Sequence, residues 1–334
     1  MNKMKNLYHP LKIGSLELEG NLFLAPLAGY SDKSFRYFCI ENHANLCFTE
    51  MVSAEALYRN QVKTLSLLER AENEKTLAFQ IFGNNPKILG EVLKVLKPYK
   101  PNLIDINCGC PVTKVVKTGA GSSLLLNPET IYKMVKELKS NTDLPVTVKI
   151  RSGWDQNSIN FLETACAAQE GGCDAIALHP RTRSQMYSGT SDWSHLKILK
   201  EKMEVPILGS GDLFSPEDAQ RMLTETKIDG VLFARGAIGN PFIFSQTKDL
   251  LTHGNYSIVP FANRIEVLIR HLKLAAINTS EKNACKLLRK HVGFYLKGIP
   301  NSSSVKQELV KSETISDYIK ALKKLDLNPD FVLI

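Results

Sequence analysis

The segment Asp-Ile-Asn-Cys-Gly-Cys-Pro at residues 105–111 decides the fold of this 334-residue chain, because a buried strand ends there in a reactive loop. The apolar run 103–106 predicts the strand, and the loop continues as a glycine-rich basic segment that carries Lys114 and Lys117. Cys110 in such a loop is a candidate nucleophile, metal ligand or proton donor, because a thiol holds or releases its proton near neutral pH. An isolated cysteine is as often a small buried apolar side chain, so the rest of the chain has to decide between these roles.

Seven other short apolar runs are similar to this strand, since each leads into a turn or a polar residue and then into an amphipathic segment. In chain order, the eight runs are 21–25, 46–49, 77–81, 103–106, 146–150, 175–178, 205–208 and 230–234. Three of the amphipathic segments open with a cap residue followed by proline, at Asn85, Asn127 and Ser215, which indicates helix starts. Strands that alternate with helices favour parallel pairing with right-handed crossovers.

The number of these units predicts the fold class. Eight strand and helix units fit an α/β fold, a (β/α)8 TIM barrel of about 250 residues, which we place over residues 1–245. An open, doubly wound sheet is the structural alternative, because alternation alone does not establish that a sheet closes. No Gly-x-Gly-x-x-Gly fingerprint follows the first run, which argues against a dinucleotide-binding domain of the Rossmann type.

The pattern changes after the eighth run, where only helical periodicity continues. The predicted helices are 264–278, 281–296 and 312–325. We assign residues 246–334 to a C-terminal all-helical domain and residues 247–260 to the connector that precedes these helices.

Positive charge is concentrated in this predicted domain. The chain carries a net charge of +8, and residues 245–334 hold fourteen basic side chains against eight acidic ones. In the second predicted helix, Arg289 and Lys290 belong to a basic set that lies between the apolar positions. A basic helix face is usually only solvated, but the concentration of charge in one unit favours an anionic partner.

Cysteine usage and hydropathy bear on the cell compartment. Seven cysteines, an odd number, are spread over the chain, and no secretory signal follows Met1, which favours a reducing compartment. No apolar run approaches the roughly 18 residues that a membrane span needs. We therefore expect a cytoplasmic protein that has no membrane partner.

The residues just after the apolar runs form a candidate ligand set, because active sites of such barrels lie at the carboxyl ends of the strands. In chain order these residues are Pro26, Leu27, Ala28, Glu50, Gln80, Asn107, Cys110, Lys149, Arg151, His179, Arg181, 209–212 and 234–236. Polar residues are common at strand ends in general, but this set contains more amides, cations and imidazole groups than we expect from that tendency alone. The set predicts a polar active site.

The loops 209–212 and 234–239, after the seventh and eighth runs, carry the chemistry of a phosphate site. Barrels commonly bind a phosphate there on backbone N–H groups and a short helix N-terminus. Glycines let the backbone approach the phosphate, and Arg235 supplies a charged donor. Glycine-rich turns that serve only the chain geometry are the alternative, but a phosphorylated cofactor fits the set better.

Flavin mononucleotide (FMN) is the cofactor that suits these positions. Its ring is flat with a carbonyl-rich edge, and its tail carries one phosphate. Lys149 would stabilise negative charge on the reduced ring, and Gln80 would hydrogen-bond the pyrimidine edge. Either residue could instead be an ordinary hydrogen-bonding group in the barrel mouth.

Two other chemistries are not supported by the sequence. Cys108 and Cys110 form Cys-x-Cys, but no second Cys or His pair stands at zinc spacing, and alternate residues near a strand end point to opposite faces. No Gly-x-Ser-x-Gly elbow is present either. We therefore expect neither a metal site nor a Ser/His/Asp triad.

Together these segments resemble the tRNA-dihydrouridine synthase family over nearly the whole chain. The segments that carry the resemblance are 25–32, 35–36, 49–51, 107–121, 149–151, 179–183, 211–212, 234–236, 289–291 and 295–298. The most specific is Asn-Cys-Gly-Cys-Pro at 107–111, which resembles the catalytic loop of the family. The last two segments resemble the helical tail of its bacterial B-type branch.

The resemblance implies a flavin barrel with an RNA-binding helical domain that reduces uridine in tRNA to 5,6-dihydrouridine, with NADPH as the electron source. It implies that hydride passes from reduced FMN to C6 of uracil and that Cys110 donates the proton to C5. The residues at cofactor positions are Pro26, Leu27, Ala28, Gln80, Lys149, His179, Ser210, Gly211, Asp212, Ala234 and Arg235. The residues expected near the tRNA substrate are Asn107, Arg151, Lys114, Lys117, Arg289 and Lys290. No obligate protein partner is expected.

Two positions depart from the family pattern. Ser210 stands where Asn is usual, and Cys108 stands where Met or a similar apolar residue is common. The resemblance therefore predicts backbone contacts at Ser210 and a second, noncatalytic thiol at Cys108.

Two other functions stay open at this point. A flavin barrel that acts on a free pyrimidine or a small enone would use a cysteine in the same way, but it would not need a basic helical domain. A nonenzymatic RNA-binding protein on a relict barrel would need the basic domain, but it would contain no flavin.

Overall fold

The structure is a computed structural model that describes residues 7–325, without the side chain of Lys63. Its strands are β1 (Leu11–Ile13), β2 (Leu16–Leu18), β3 (Leu22–Leu24), β4 (Leu46–Phe48), β5 (Val52–Ser53), β6 (Leu77–Phe82), β7 (Leu103–Asn107), β8 (Val146–Gly153), β9 (Ala175–Thr182), β10 (Ile207–Ser210) and β11 (Gly230–Phe233). Each of the eight predicted runs contains or overlaps one of these strands.

Eight parallel strands, β3, β4 and β6 to β11, close into one ring. Each pairs with the next along the chain, and β11 pairs back onto β3 while β4 pairs with β6. The short β5 also pairs with β6. This closure confirms the predicted (β/α)8 TIM barrel and rules out the open sheet.

Helices cover the ring and then continue beyond it. In residues 7–325 they are α1 (Lys33–Glu41), α2 (Ala54–Tyr58), α3 (Val62–Leu65), α4 (Pro86–Leu96), α5 (Thr113–Val116), α6 (Pro128–Asn141), α7 (Phe161–Glu170), α8 (Ser194–Lys202), α9 (Pro216–Thr226), α10 (Ile243–His253), α11 (Phe261–Asn278), α12 (Glu281–Tyr295), α13 (Ser302–Lys311) and α14 (Ile315–Leu322). Helices α4, α6 and α9 start where the sequence predicted. Asn85 and Ser215 cap their first turns, whereas the Asn127 side chain makes no cap hydrogen bond. Among the described helices, none combines the length and the apolar character that crossing a bilayer requires.

The barrel strands bury both of their faces, as strands between helices and a filled interior must. Outward-facing residues such as Leu24 and Phe79 join the large core under the helices, whereas inward-facing residues such as Phe23 and Leu103 join a separate interior cluster. Farther along β7, the inward position is the polar Asp105. The change from apolar to polar side chains inside the ring marks the site.

An antiparallel hairpin of β1 and β2 precedes the barrel, in a segment that the sequence treated as a polar leader. Its residues Leu11, Ile13 and Leu18 belong to the interior cluster together with Phe23 at the start of the ring. The hairpin turn places Gly14 at a positive φ of 55°. The hairpin therefore extends the apolar core of the barrel interior.

Helices α11 to α14 have their own core, separate from that of the barrel. The sequence predicted three of them and missed α13. The predicted connector 247–260 is wrong in its first half, because α10 occupies Ile243–His253 and packs on α9 as the last helix of the barrel layer. We propose that the boundary between the two units lies within residues 254–260.

The helical unit packs directly on the barrel. Phe38 of α1 lies in the core of the helical unit. Gly239, in the loop after β11, has a φ of 66°, and a Cβ there would lie 2.4 Å from the backbone nitrogen of Tyr295 in α12. Only a glycine lets the two chain segments come this close.

Candidate active site

A cavity of about 380 Å³ opens at the carboxyl ends of the barrel strands. Every residue predicted at a cofactor position lines it, as do three other predicted site residues, Asn107, Cys110 and Arg151. The cofactor-position residues in its wall are Pro26, Leu27, Ala28, Gln80, Lys149, His179, Ser210, Gly211, Asp212, Ala234 and Arg235. The fold thus brings residues from the ends of seven barrel strands to one place.

The strand register sets the height of each polar side chain. Cross-strand partners in register are Gln80 with Asp105, Asn107 with Lys149, and Arg151 with His179. Because parallel strands run in the same direction, these pairs rise in order from the barrel interior to its mouth.

A buried carboxylate organises the floor of the cavity. The amide of Gln80 donates to Asp105 Oδ2 at 2.6 Å, the hydroxyl of Thr147 donates to Oδ1 at 2.6 Å, and Asn107 donates to the Gln80 amide oxygen at 2.8 Å. Burial raises the pKa of Asp105 to about 6, although the hydrogen bonds from Gln80 and Thr147 and the charge of Lys149 oppose the rise. The Gln80 amide is therefore fixed in orientation, and it keeps one N–H and one lone pair for a ligand.

The cysteine loop is held from two sides. Asn107 Oδ1 accepts hydrogen bonds from the backbone N–H groups of Gly109 at 3.2 Å and Cys110 at 2.9 Å. Arg151 donates through Nε to the carbonyl of Gly109 at 2.8 Å and through Nη1 to the carbonyl of Thr182 at 2.9 Å. Arg151 therefore joins the cysteine loop to the loop after β9, which is a structural task beside its predicted contact with substrate.

The two thiols of the loop have different surroundings. Burial raises the pKa of Cys110 above its ordinary value, although a backbone hydrogen bond from Val112 and the charges of Arg151 and Lys149 act in the opposite direction. The Cys110 thiol is therefore protonated at neutral pH, on the wall of the cavity. Cys108 is fully buried in the main core under the helices, and its pKa is raised further by that burial.

Lys149 presents a cation to the cavity. Burial and the charge of Arg151 lower its pKa to about 8, against the opposing effects of Asp105 and Cys110. Its ammonium makes no hydrogen bond or ion pair with any residue that the structure describes. A cation without such a partner suits a ligand group that is negative or becomes negative.

His179 and Asp212 are both engaged by Arg181. Arg181 donates to His179 Nε2 at 3.3 Å and forms an ion pair with Asp212 at 2.7 Å. Burial and the surrounding cations keep the pKa of His179 well below its usual value, so the ring is neutral. Burial raises the pKa of Asp212, but the backbone N–H of Ser191 and the Arg181 guanidinium bring it below its ordinary value. Asp212 is therefore an anion that holds the loops in place.

The opposite end of the cavity carries a second cation. The Arg235 guanidinium lies between two rings, 5.2 Å from the centroid of Tyr187 and 5.2 Å from that of Phe214. One of its nitrogens is 3.3 Å from Asp212. Its position is therefore set by two aromatic contacts together with an ion pair to Asp212.

Backbone amides surround this second cation. The N–H groups of Gly211, Arg235 and Gly236 donate to no described residue. A Cβ on Gly236 would lie 2.1 Å from the carbonyl oxygen of Leu213, so the two loops approach through this glycine. The predicted helix N-terminus is absent here, because residues 235–239 form turns and α10 begins only at Ile243. Free amides and a guanidinium suit a phosphate without the helix.

Four predicted substrate residues lie outside the cavity wall. Lys114 and Lys117 are exposed on the loop that contains α5, and Arg289 is exposed on α12. Lys290 lies with its ammonium 5.3 Å from the ring centroid of Tyr30, which is itself a cavity residue. These cations surround the mouth of the barrel or face solvent.

Aromatic residues of the cavity were missed from the sequence. Tyr187 lies in a loop without a recognisable pattern, and Phe214 follows a glycine-rich turn. Phe294 comes from α12 of the helical unit, at an apolar position of the helical pattern, and it lines the cavity and packs against Tyr30 at 6.4 Å between ring centroids. Helical periodicity identifies an apolar face but does not say which unit covers it.

Comparison with known proteins identifies relatives over most of the chain. A family model described as dihydrouridine synthase matches residues 23–328. A probable tRNA-dihydrouridine synthase from Treponema pallidum is 44% identical over 327 residues, which cover 95% of this chain and 96% of the relative. The tRNA-dihydrouridine synthase B of Pasteurella multocida is 34% identical over 293 residues, 87% of this chain and 88% of the relative.

Solved structures with low sequence identity share the fold. Histamine dehydrogenase from Rhizobium sp. 4-9 matches 82% of this chain with a TM-score of 0.60 at 14% identity, and a complex of 2-naphthoyl-CoA reductase matches 74% with a TM-score of 0.57 at 12% identity. This chain covers 51% and 52% of those two chains, about half of each. The family match and the identities to its members show that this chain belongs to the dihydrouridine synthase family of flavin-dependent oxidoreductases.

Proposed function

We propose that the chain reduces uridine in tRNA to 5,6-dihydrouridine, with FMN in the barrel cavity and NADPH as reductant. The observation that carries the proposal is the arrangement of the cavity, which is lined by the protonated thiol of Cys110, by Lys149, whose ammonium pairs with no described residue, and by the amides around Arg235. This reaction requires a proton donor, a cation beside the reducible ring and a binding site for the cofactor phosphate.

The residues present fit FMN. The phosphate would bind to the free N–H groups of Gly211, Arg235 and Gly236 and to the Arg235 guanidinium. The ring would lie toward Lys149, whose ammonium pairs with no residue that the structure describes, with Gln80 at its pyrimidine edge. When it is bound and reduced, a flavin supplies a hydride to an electron-poor carbon.

The remaining chemistry belongs to Cys110. The C5=C6 bond of uracil is conjugated with the C4 carbonyl, so reduction at C6 leaves negative charge on C5 and O4, and C5 must then receive a proton. A buried thiol that keeps its proton at neutral pH is suited to give it up only when such a basic carbon forms beside it. Asn107 and Arg151 hold the loop in place before substrate arrives.

The tRNA substrate explains the exposed cations and the aromatic wall. A uridine has to leave its stack to enter the barrel, and exposed cations such as Lys114, Lys117 and Arg289 would hold phosphates while it does so. The rings of Tyr187 and Phe294 offer surfaces that can receive the displaced base. Because the substrate would be tRNA, we place the protein in the cytoplasm.

An assay with purified protein tests the proposal. The protein is expected to be yellow, to consume NADPH with unmodified tRNA, and to form dihydrouridine that nucleoside mass spectrometry detects. Equal turnover of free uracil or uridine would favour the small-pyrimidine alternative, and a colourless protein that binds tRNA without reducing it would favour a nonenzymatic role. Mapping dihydrouridine in tRNA from cells that lack this protein would identify the uridine that it reduces.

A further inference from the structure

A second polar cluster is buried behind the cavity wall, where the barrel meets the helical unit. Asp32 precedes α1 of the barrel, His271 lies on α11 and His291 on α12. One potential donor atom from each residue lies within 4.8 Å of the other two. Both histidines are fully buried.

The atoms that face one another in this cluster have no other partner. Asp32 Oδ1 caps α1 by accepting from Ser34 and Phe35, which leaves Oδ2 buried without a hydrogen bond. His271 Nε2 and both ring nitrogens of His291 are also buried and unpaired among the described residues. Buried polar atoms normally have partners, and here each of three neighbouring residues keeps at least one buried polar atom without one.

The remaining contacts orient the rings as metal ligands are usually oriented. His271 Nδ1 lies 3.3 Å from the hydroxyl of Tyr295, a contact that leaves Nε2 as the free ring atom. Burial lowers the pKa of His271 to about 4 and that of His291 well below its ordinary value, so both imidazoles are neutral, the form that binds metals. Phe35 and Phe38 pack against His271, with ring centroids 5.9 Å and 5.5 Å away, and form an apolar shell.

We infer that Asp32, His271 and His291 form a site for a divalent transition-metal ion of the zinc class. Donor atoms around a tetrahedral zinc lie about 3.3 Å apart, so a set already within 4.8 Å needs only small side-chain movements to close on the ion. A water molecule would complete the coordination. The cysteines gave no metal motif in the sequence, and this cluster was not recognisable there because Asp32 is separated from the two histidines by more than 200 residues.

The position of the site gives the ion a structural role. Asp32 belongs to the barrel and the two histidines to the helical unit, so an ion bound to all three joins the two units. Phe294, three residues after His291, lines the catalytic cavity. The ion would therefore fix the wall that the helical unit contributes, whatever chemistry the cavity performs.

Metal content of untagged protein tests the inference. We expect about one zinc per chain by mass spectrometry after acid digestion, and, after refolding with Co²⁺, the visible absorption of a cobalt site that has nitrogen and oxygen ligands. Asp32→Asn keeps an oxygen that can cap α1, and His291→Gln keeps a polar side chain. Both should reduce Zn²⁺ affinity in chelator competition by more than about 100-fold.

A graded variant and a control complete the test. Tyr295→Phe keeps all three ligands and removes only the partner of His271, so it should weaken Zn²⁺ binding by about 10- to 100-fold. His253→Gln removes an exposed histidine at the end of α10 and should change nothing. Wild-type protein with less than about a tenth of a zinc per chain, and no cobalt absorption after refolding, would overturn the inference even if the ligand variants failed to fold. Equal zinc content in wild type and His291→Gln would also overturn it.

Discussion

The side-chain oxygen of Asn107 lies 2.9 Å from the backbone nitrogen of Cys110 and accepts its hydrogen bond. The same oxygen accepts from Gly109 at 3.2 Å, and the amide nitrogen of Asn107 donates to Gln80. One side chain thus connects the floor of the cavity to the loop that carries the thiol.

We predict that Asn107→Ala loosens this loop. Two hydrogen bonds of about 1 kcal/mol each are lost, so the fraction of molecules with an open loop should rise roughly tenfold or more. Because Cys110 is largely buried, its alkylation by iodoacetamide should accelerate by the same factor. Asn84→Ala is the control, since it removes a hydrogen bond to Thr118 at the exposed far side of the loop. An unchanged alkylation rate in Asn107→Ala would show that Asn107 does not hold the loop.

Cys110→Ala should separate flavin chemistry from product formation. The variant should keep its yellow colour and its reduction by NADPH but lose about 10²- to 10⁴-fold in dihydrouridine formation, the usual contribution of a positioned proton donor. Cys108→Ala is the matched control, because Cys108 lies in the core beneath the helices and should affect stability only. Undiminished turnover in Cys110→Ala would refute the acid role.

Asp105 makes the stability of the fold depend on pH. Its pKa is about 6 in the folded chain and lower when unfolded, so the folded state binds the extra proton and loses stability as pH rises from about 4 to 7. The free energy of unfolding of wild type relative to Asp105→Asn should fall by up to about 3 kcal/mol over this range, as two pKa units imply. Urea unfolding at four pH values measures it. A difference that stays level or rises with pH would contradict the raised pKa.

Lys149 should control FMN affinity. Its pKa is about 8, so its charge is lost above that pH and the FMN dissociation constant of wild type should rise between pH 7 and 9. Lys149→Met should bind FMN about 10- to 100-fold more weakly, because a charge-assisted hydrogen bond contributes about 1.5–3 kcal/mol, and its affinity should vary little with pH. Lys117→Met, an exposed lysine, is the control. Equal affinities for wild type and Lys149→Met would place the ring elsewhere.

Salt dependence tests the contact with tRNA phosphates. Each lysine that neutralises a phosphate contributes about one to the slope of log K against log salt. The double variant Lys114→Ala and Lys117→Ala should therefore lower the slope by about two. The double variant Lys94→Ala and Lys97→Ala removes equal charge at the end of α4, on the opposite end of the barrel, and should leave the slope unchanged. Equal slopes for both double variants would exclude the loop lysines from the interface.

The barrel was predictable because its signals are local. Each strand is a short apolar run, and the polar residue that follows it marks the carboxyl end, so Gln80, Lys149 and His179 were assigned to one site before their distances were known. The glycines of 209–212 and 234–239 indicated in the same way that the backbone approaches closely around Arg235.

The parts that the sequence did not predict depend on contacts between distant segments. The hairpin β1–β2 is short, and its burial comes from the barrel interior that it enters. Asp105 was placed in an apolar strand, and its role in fixing Gln80 depends on the register of β6 and β7. Phe294 was not predicted in the cavity, because helical periodicity identifies an apolar face but does not say which unit packs against it. Helix α13 begins with serines, which weaken the pattern.

Because Phe294 forms part of the cavity wall while Gly239 admits the backbone of α12 at close range, the two units are poor modules for recombination. A chimera that joins this barrel to a foreign tail would need an aromatic ring at the same turn of α12 and a glycine opposite it. Exchanging tails to redirect such an enzyme to another tRNA position would therefore require the donor barrel loop to be transplanted together with the helices.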